Sequence, residues 1–576
     1  MGKVGDALHE ARKRKHWSLA QAEGATRIRQ QYLSALEKEH FAEFASESQI
    51  RGFLRTYALD LGLDPEEILE QYDAEPRKPS RRPSIPRPRS LSPWSVVNIL
   101  ILAVIVVIIA LMGSYVMSRE ATSASTPPPA PTATKVVEIR AVPLYTLEVS
   151  LDYEGHSLHT SERLDFANTT EDSLEELVFN VFPNHAEDVF LLQSVTTEEP
   201  AEEGEEEAAE DLEYSLSGTS LRVRLPSALA PKDEVTLFLE FSLDLPSMNP
   251  YLEWSNGSLG YSNRMLAAGN WYPILVPYRP GEGWIPFAYH LIGDPYVSEV
   301  ADYEVEIVAP SEVVIAGTGE EDRIGNRWRY TVSEARSFAF TASDQYEVSS
   351  QPAGHVTVSS YYFPVHQQAG FDAAIAAAEA LTAYEELFGS YPYSSYRVAE
   401  VDFAGALEYS GMTFMGDDWY SDHPGGYRSG MVSLLAHEVA HQWWYGTVGS
   451  DQVREPWLDE ALATYSSLLY YERLHPELVE WWWDDEVESY RPQGQIDRPI
   501  YAFMDGRTYL NAVYRRGALF IRDLRDRTGD EEFFAFLRDY YERQSHKLST
   551  GEDFFSILNR HSAVDISSLT EEYFGP

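Results

Sequence analysis

The sequence predicts a multidomain α+β chain, and three features predict it. Apolar residues recur at helical spacing in short blocks over residues 1–75. Residues 95–117 form an uncharged apolar run. Beyond that run, strand patterns from about Leu144 give way near Gly354 to alanine-rich helix. At 576 residues, 44% hydrophobic and 13% aromatic, the chain has material for about three or four domains with sizeable cores.

Residues 1–75 read as a small all-α domain. LHEARKRKHWSLAQAEGATRIRQQYLSALEKEHF places Ser18 to cap a helix ending near Gly24, a helix-turn-helix pattern. The stretch from Val4 to Tyr72, with SLAQAEGATRIRQQYLSALE and RGFLRTYALDLGLDPEEIL, resembles the cytoplasmic domain of RodZ-like membrane proteins. That resemblance implies docking to a cytoplasmic protein partner. Arg27, Arg29, Gln30 and Gln31 are residues a DNA-reading helix would use, but Glu37, Glu39, Glu43 and Glu47 follow, so nucleic acid is the less favoured partner.

Residues 76–94 are a basic, Pro-rich linker with Arg77, Lys78, Arg81, Arg82, Arg87 and Arg89. SVVNILILAVIVVIIALMGSYVM, residues 95–117, is long enough at 1.5 Å per residue to cross a hydrocarbon core of about 30 Å, so a single transmembrane helix is expected. The positive charge before it puts the N-terminus inside and residues 118–576 outside the cell membrane. Residues 118–143 are a Pro-rich stalk. Residues 144–353 are expected to be β-rich, with strands in TLEVSLDYE, LRVRLP, EVTLFLEFSL and YEVEIVAP and an acidic loop insertion at 198–213. Residues 354–576 are expected to be mainly helical, beginning with AGFDAAIAAAEALTAYEELFG.

The charge is uneven. The net −46 divides into +2 over residues 1–93 and −48 beyond, an excess that argues against nucleic-acid binding by the outer part. No cysteine is present, so there is no thiolate ligand and any metal rests on His, Asp and Glu.

LLAHEVAHQWWYGTVG, residues 434–449, sets His437 and His441 four apart with Glu438 between them. Residues four apart on a helix face one side, so both imidazoles can reach one ion. The motif alone arises by chance in roughly a few per cent of such chains, and its surroundings must decide. Gly446 is expected to end this helix, and a second should start at Pro456 in REPWLDEALATYSSLLYY. An antiparallel return of that helix brings Glu460 to the same ion, which makes a His₂Glu set with one position left open.

HEVAHQWWYG followed by WLDEALATY resembles the gluzincin aminopeptidases (aminopeptidase N-like, family M1), whose third ligand follows after the same 18 intervening residues. GALEYSGMTF, residues 405–414, stands where that family has Gly-x-Met-Glu-Asn, and VYRRGALF, residues 513–520, where it has a tyrosine before a basic residue and glycine. The likeness spans roughly residues 144–576. It implies a saddle-like β-rich domain, a thermolysin-like catalytic domain and one Zn2+ per chain on His437, His441 and Glu460. It further implies Glu438 as general base, Tyr514 as donor to the oxyanion, and Glu408 with Gly405 and Ala406 as the segment that binds the peptide's free amine.

Plainer readings stand beside these roles. Tyr514 is one of 36 tyrosines and suits core packing; Glu408 suits a strand edge facing water. Asp459 is either an acceptor behind a ligand or an exposed acid stabilised by the helix dipole. Trp443 and Trp444 are expected behind the metal helix. Tyr409 and Leu407 depart from the family's Asn and Met, and Asp459 and Ala461 from its Asn and Gly. No β-domain counterpart of its amine-binding glutamine is evident, and with 62 residues after Tyr514 a more open cleft is expected. The alternatives to a membrane-anchored zinc aminopeptidase are a silent peptide-binding signalling or envelope-scaffold protein and a membrane-tethered transcription regulator.

Overall fold

A computed structural model describes residues 142–198, 211–248 and 258–575, and toward the N-terminus residues 3–15, 30–38 and single positions between 17 and 72. The expected linker, membrane helix and stalk lie outside the described residues, as does most of the acidic run. Among the described residues, no helix is long and apolar enough to cross a membrane. The chain divides into two units, Met1–Ala133 and Thr134–Pro576.

In the first unit, helices α1 (Lys3–Arg14) and α2 (Gln30–Lys38) share a core of Val4, Leu8, Leu33, Leu36, Leu54 and Tyr57. Glu37 is buried there rather than displayed. It accepts from Arg12 Nε at 2.6 Å, Arg12 Nη2 at 2.7 Å and Tyr57 OH at 2.6 Å. It is therefore a core partner and carries no weight against a nucleic-acid surface.

In the second unit, alternation builds the β-rich half. Along Leu144–Asp152, Tyr145, Leu147, Val149 and Leu151 point inward, the period-2 pattern of a strand with one buried face. Among the described residues the largest sheet has seven strands. Their spatial order is Glu320–Ile324, Arg327–Ala335, Ala301–Val308, Leu144–Asp152, Ser157–Ala167, Glu234–Asp244 and Phe190–Thr196. Leu144–Asp152 runs parallel to Ala301–Val308 and antiparallel to Ser157–Ala167.

The second half starts with a sheet. Glu347–Ala353, Val356–Tyr362, Ser395–Val401, Met412–Gly416 and Ala406–Tyr409 are neighbours in that order. The boundary expected at residue 354 thus falls inside the hairpin Glu347–Ala353/Val356–Tyr362, and helix begins only after Tyr362. Helix α3 (Gln367–Phe388) then lays its alanines, Ala373, Ala374, Ala377 and Ala380 among them, against the core. One continuous apolar core links the β-rich and helical halves.

One acid inside the β-rich half is anomalous. Glu162, on Ser157–Ala167, is fully buried, and neither carboxylate oxygen has a hydrogen-bond partner among the described residues. Burial pushes its carboxyl well above the usual range. Below the unfolded value of about 4.5 both states hold the proton. As pH rises the unfolded chain releases its proton first, and stability is lost until the folded carboxyl ionises too. The thermal stability of Glu162→Gln relative to the unsubstituted chain should therefore climb with pH above about 4.5, with a limiting slope of roughly 1.4 kcal/mol per pH unit. A gap that stays flat from pH 4 to 8 would mean the carboxyl is not held neutral.

Candidate metal centre

Helix α4 (Gly430–Ala440) carries His437 and Glu438 in its last turn, and His441 caps it in a right-handed conformation, φ −59° and ψ −15°. The helix ends at Ala440 rather than at Gly446. The amides of Gly446, Thr447 and Val448 each reach back five residues, to His441, Gln442 and Trp443, so a wider coil takes over from the α-helical ladder. Helix α5 (Trp457–Leu474) follows Pro456, with Asp459 and Glu460 in its first turn.

The two helices are fastened together behind the site. Tyr384 of α3 shares its hydroxyl between Ala436 O and Ser466 O, each at 2.9 Å. Trp444 Nε1 donates to Ser466 Oγ at 3.0 Å and Trp443 Nε1 to Gly389 O at 2.9 Å. Both tryptophans are buried, packed behind the metal helix as expected.

In front, His437 Nε2 and His441 Nε2 lie 3.0 Å apart, and Glu460 Oε2 is 3.2 Å from the first and 3.5 Å from the second. All three residues are buried, and Glu460 Oε2 has no hydrogen-bond partner among the described residues. His441 Nδ1 meets Asp459 Oδ1 at 2.6 Å, so its proton sits on the far side and its Nε2 lone pair faces the other donors. Two imidazole lone pairs and a carboxylate aimed at one point suit a divalent cation of zinc's type. Asp459 is thus the acceptor behind His441; being almost fully buried, it is no surface acid.

Glu438 is 3% exposed, and its Oε2 has no hydrogen-bond partner among the described residues. Tyr514 sits in a π-helical stretch, Leu510–Arg516. Gly517, just after it, approaches Ala461 so closely that a Cβ on the glycine would fall 2.5 Å from the alanine's. This contact of small residues presses the tyrosine onto the site. Its ring stacks on His437 at 5.6 Å between centroids, and its hydroxyl donates to Glu460 Oε1 at 2.6 Å. In this structure the phenol is engaged by the Glu460 carboxylate.

Glu408 lies on the edge strand Ala406–Tyr409, whose hairpin with Met412–Gly416 is closed by Gly416 N donating to Gly405 O at 2.8 Å. Gln442, next to His441, holds the turn of this hairpin: its Oε1 accepts from Gly411 N at 2.7 Å and its Nε2 donates to Tyr409 O at 3.0 Å. Glu408 Oε1 accepts from Gln452 Nε2 at 3.3 Å, so the carboxylate is engaged rather than simply facing water. The Tyr409 ring takes the space left by Gly269, where a Cβ would meet the phenol oxygen at 1.9 Å.

Three residues here escaped the sequence reading. Asp294, between the strands Gly283–Trp284 and Ala301–Val308, brings one oxygen within 4.8 Å of one oxygen each from Glu408 and Glu460. Gln452 and Arg336 are the others. None belongs to a motif, and each arrives from a distant segment. The five acids around the two histidines disturb one another. Burial lifts Glu408 to about 7, aided by the charges of Glu460 and Asp459 and opposed by His441. Burial also raises Glu438 and Asp294. For Glu460 burial acts upward too, but His441 and His437 outweigh it and hold the carboxyl at about 2.

Arg336 is a buried guanidinium spent on carbonyls. Nε donates to Tyr445 O at 2.6 Å, Nη1 to Ser298 O at 2.9 Å, and Nη2 to Lys547 O at 2.8 Å and Thr447 O at 3.3 Å. It thereby joins the β-rich half to the coil after His441, where Tyr445 is held at φ 143°, a region that non-glycine residues avoid.

With this geometry in view, known proteins match as follows. Residues 7–68 match the family model described as Helix-turn-helix domain, and residues 373–573 that described as Peptidase family M1 domain. The chain is 28% identical over 213 residues to Aminopeptidase M1 of Arabidopsis thaliana, covering 34% of this chain and 24% of that one. It is 28% identical over 235 residues to Endoplasmic reticulum aminopeptidase 1 of Mus musculus, covering 38% and 25%. The matches thus span about a quarter of the length of these relatives. The crystal structure of an M1 zinc metallopeptidase from Deinococcus radiodurans superposes with a TM-score of 0.54 at 17% identity, covering 76% of this chain and 95% of that one, so the two share a fold.

Removing Arg336 takes a donor from four carbonyls, of which Thr447 O and Lys547 O each keep a backbone amide, from His546 and Gly449. Arg336→Met should lower stability by on the order of 3 kcal/mol in denaturant unfolding. Arg336→Lys, which cannot reproduce the fork, should recover less than half of that loss.

Proposed function

We propose that the chain is a membrane-anchored, zinc-dependent aminopeptidase that removes N-terminal residues from peptides outside the cell. The observation that carries this reading is the convergence of His437, His441 and Glu460 on one point, with Glu438, whose Oε2 has no partner among the described residues, next to His437 in the chain and the carboxylates of Glu408 and Asp294 close to Glu460. The match of residues 373–573 to the Peptidase family M1 domain supports the same class.

His437, His441 and Glu460 would hold one zinc ion. Zinc supplies a Lewis acid that polarises the scissile carbonyl and acidifies water near neutrality. Glu438 has an oxygen free to take the proton of the attacking water and return it to the leaving amine. Tyr514 offers a phenolic donor that a substrate carbonyl oxygen can draw from Glu460. Glu408, with Asp294 beside it, holds the substrate's α-ammonium, so the cut falls after the first residue. Asp459 keeps the His441 ring oriented and basic.

The placement outside the cell rests on the uncharged run at 95–117 and the basic residues before it. Residues 1–75 would stay inside and dock a protein partner; the match of residues 7–68 to a helix-turn-helix domain suits such a module. Protease treatment of sealed vesicles, read with antibodies to each end, tests the orientation; protection of residues 118–576 in right-side-out vesicles overturns it.

The purified full chain should hydrolyse fluorogenic aminoacyl amides, lose that activity to a chelator and regain it with about one equivalent of zinc. Glu438→Gln should lower kcat by roughly 10²- to 10⁴-fold while zinc stays bound. Tyr514→Phe should cost about 10²- to 10³-fold in kcat. Glu408→Ala should act mainly on KM for free-amine substrates and leave the N-acetylated background unchanged. Turnover that survives Glu438→Gln rules out this mechanism.

A further inference from the structure

Gln452 lies in the loop between α4 and α5 and is 4% exposed. The loop is fixed from the β-rich half, where Arg279 Nη2 donates to Asp451 Oδ2 at 2.9 Å. The Gln452 amide nitrogen reaches two carboxylates, Asp459 Oδ2 at 2.5 Å and Glu408 Oε1 at 3.3 Å. The other oxygen of Asp459 meets His441 Nδ1. A continuous line of hydrogen bonds therefore runs from Glu408 through Gln452 and Asp459 to the imidazole whose Nε2 faces the metal position.

The residue types account for one another. An acid at 459 has two acceptor oxygens and no donor. His441 satisfies one oxygen, and the second, buried, needs a donor from elsewhere. Glu408 brings another carboxylate to the same place, and like charges this close repel. A primary amide is neutral and has two N–H groups on one atom, so it can satisfy both acids without adding charge. Turned over, it would set its own oxygen against two carboxylates, which fixes its orientation.

We propose that Gln452 is a positioning residue that couples recognition of the substrate's α-amine to the metal-facing histidine, by holding Glu408 to the Asp459–His441 pair. The proposal rests on the aminopeptidase reading. Glu408 stands on an edge strand, and Gln452 restrains one of its oxygens, which leaves the other to face an ammonium. Without the bridge Glu408 swings free, and Asp459 keeps a buried anionic oxygen with no donor.

The test uses the full chain with Gln452→Leu, Gln452→Glu, Asp459→Asn and the double variant Gln452→Leu/Asp459→Asn. Each is assayed on a fluorogenic aminoacyl amide and on its N-acetyl counterpart, with bound zinc measured by mass spectrometry. Gln452→Leu should raise KM for the free-amine substrate about ten-fold or more, change kcat by less than about three-fold, and keep its zinc. Gln452→Glu, which adds a third acid and removes both donors, should be worse. Asp459→Asn should recover part of the Gln452→Leu defect, because an amide at 459 no longer leaves an unpaired anion, and the two changes should be non-additive. Unchanged KM in Gln452→Leu, or loss of zinc and kcat at constant KM, overturns the proposal. If the unsubstituted chain does not turn over free-amine substrates, the aminopeptidase reading fails separately. Calorimetric binding of the same amide then decides about Gln452: about ten-fold weaker binding in Gln452→Leu supports the coupling, and equal affinity sinks it.

Discussion

Two imidazole nitrogens 3.0 Å apart, with a carboxylate oxygen at 3.2 and 3.5 Å, make an arrangement that repels itself unless a cation is shared among them. The helical half is arranged to impose it. Tyr384 ties α4 to α5 from behind, Asp459 fixes the ring of His441, and the Gly517–Ala461 contact seats Tyr514 against Glu460. Each restraint comes from a different segment, so the donors stay aligned whichever single contact is perturbed by thermal motion. A site built this way is ordered in advance, and little reorganisation remains when a ligand arrives.

The convergence of His437, His441 and Glu460 could be read from the sequence because its geometry is local. A four-residue spacing on one helix, and an acid in the first turn of the next, need only standard helical dimensions and an antiparallel return. Strands such as Leu144–Asp152 were legible for a similar reason, since their alternation is written in consecutive residues. The end of α4 was not legible. Gly446 marks a break by type, whereas the regular helix gives way at Ala440, where the amides of Gln442 and Trp443 bond three residues back and those of residues 446–448 then reach back five. Asp294, Gln452 and Arg336 were invisible because nothing near them in the chain marks them. Their importance lies in what the fold brings opposite, a tertiary property with no periodicity to detect. Glu37 erred the other way: an acid in a polar run reads as exposed, yet Arg12 and Tyr57 draw it inside. The departures at Tyr409 and Asp459 also find local answers, the missing Cβ of Gly269 for the first and the amide of Gln452 for the second.

The β-rich half contributes more than support. Asp294 places a carboxylate beside those of Glu408 and Glu460, Arg279 fixes the loop that carries Gln452, and Arg336 with Ser337 grips Tyr445 at its carbonyl and its phenol. The site is therefore an interface product: the helical half supplies the donor triad, and the β-rich half completes its acidic flank. The same half carries an acid, Glu162, deep in its own core and without a hydrogen-bond partner among the described residues.

Arg336 also orders events in time. Its guanidinium is dry only when carbonyls from residues 298, 445, 447 and 547 are all present. A ribosome delivers the last of these long after the first, and until then the charge must stay hydrated and the coil behind His441 unfastened. A nascent chain can fold its β-rich half early, but the corner behind the two histidines waits for residue 547. The corner beside His441 is thus fastened only after both imidazoles and Glu460 have been made.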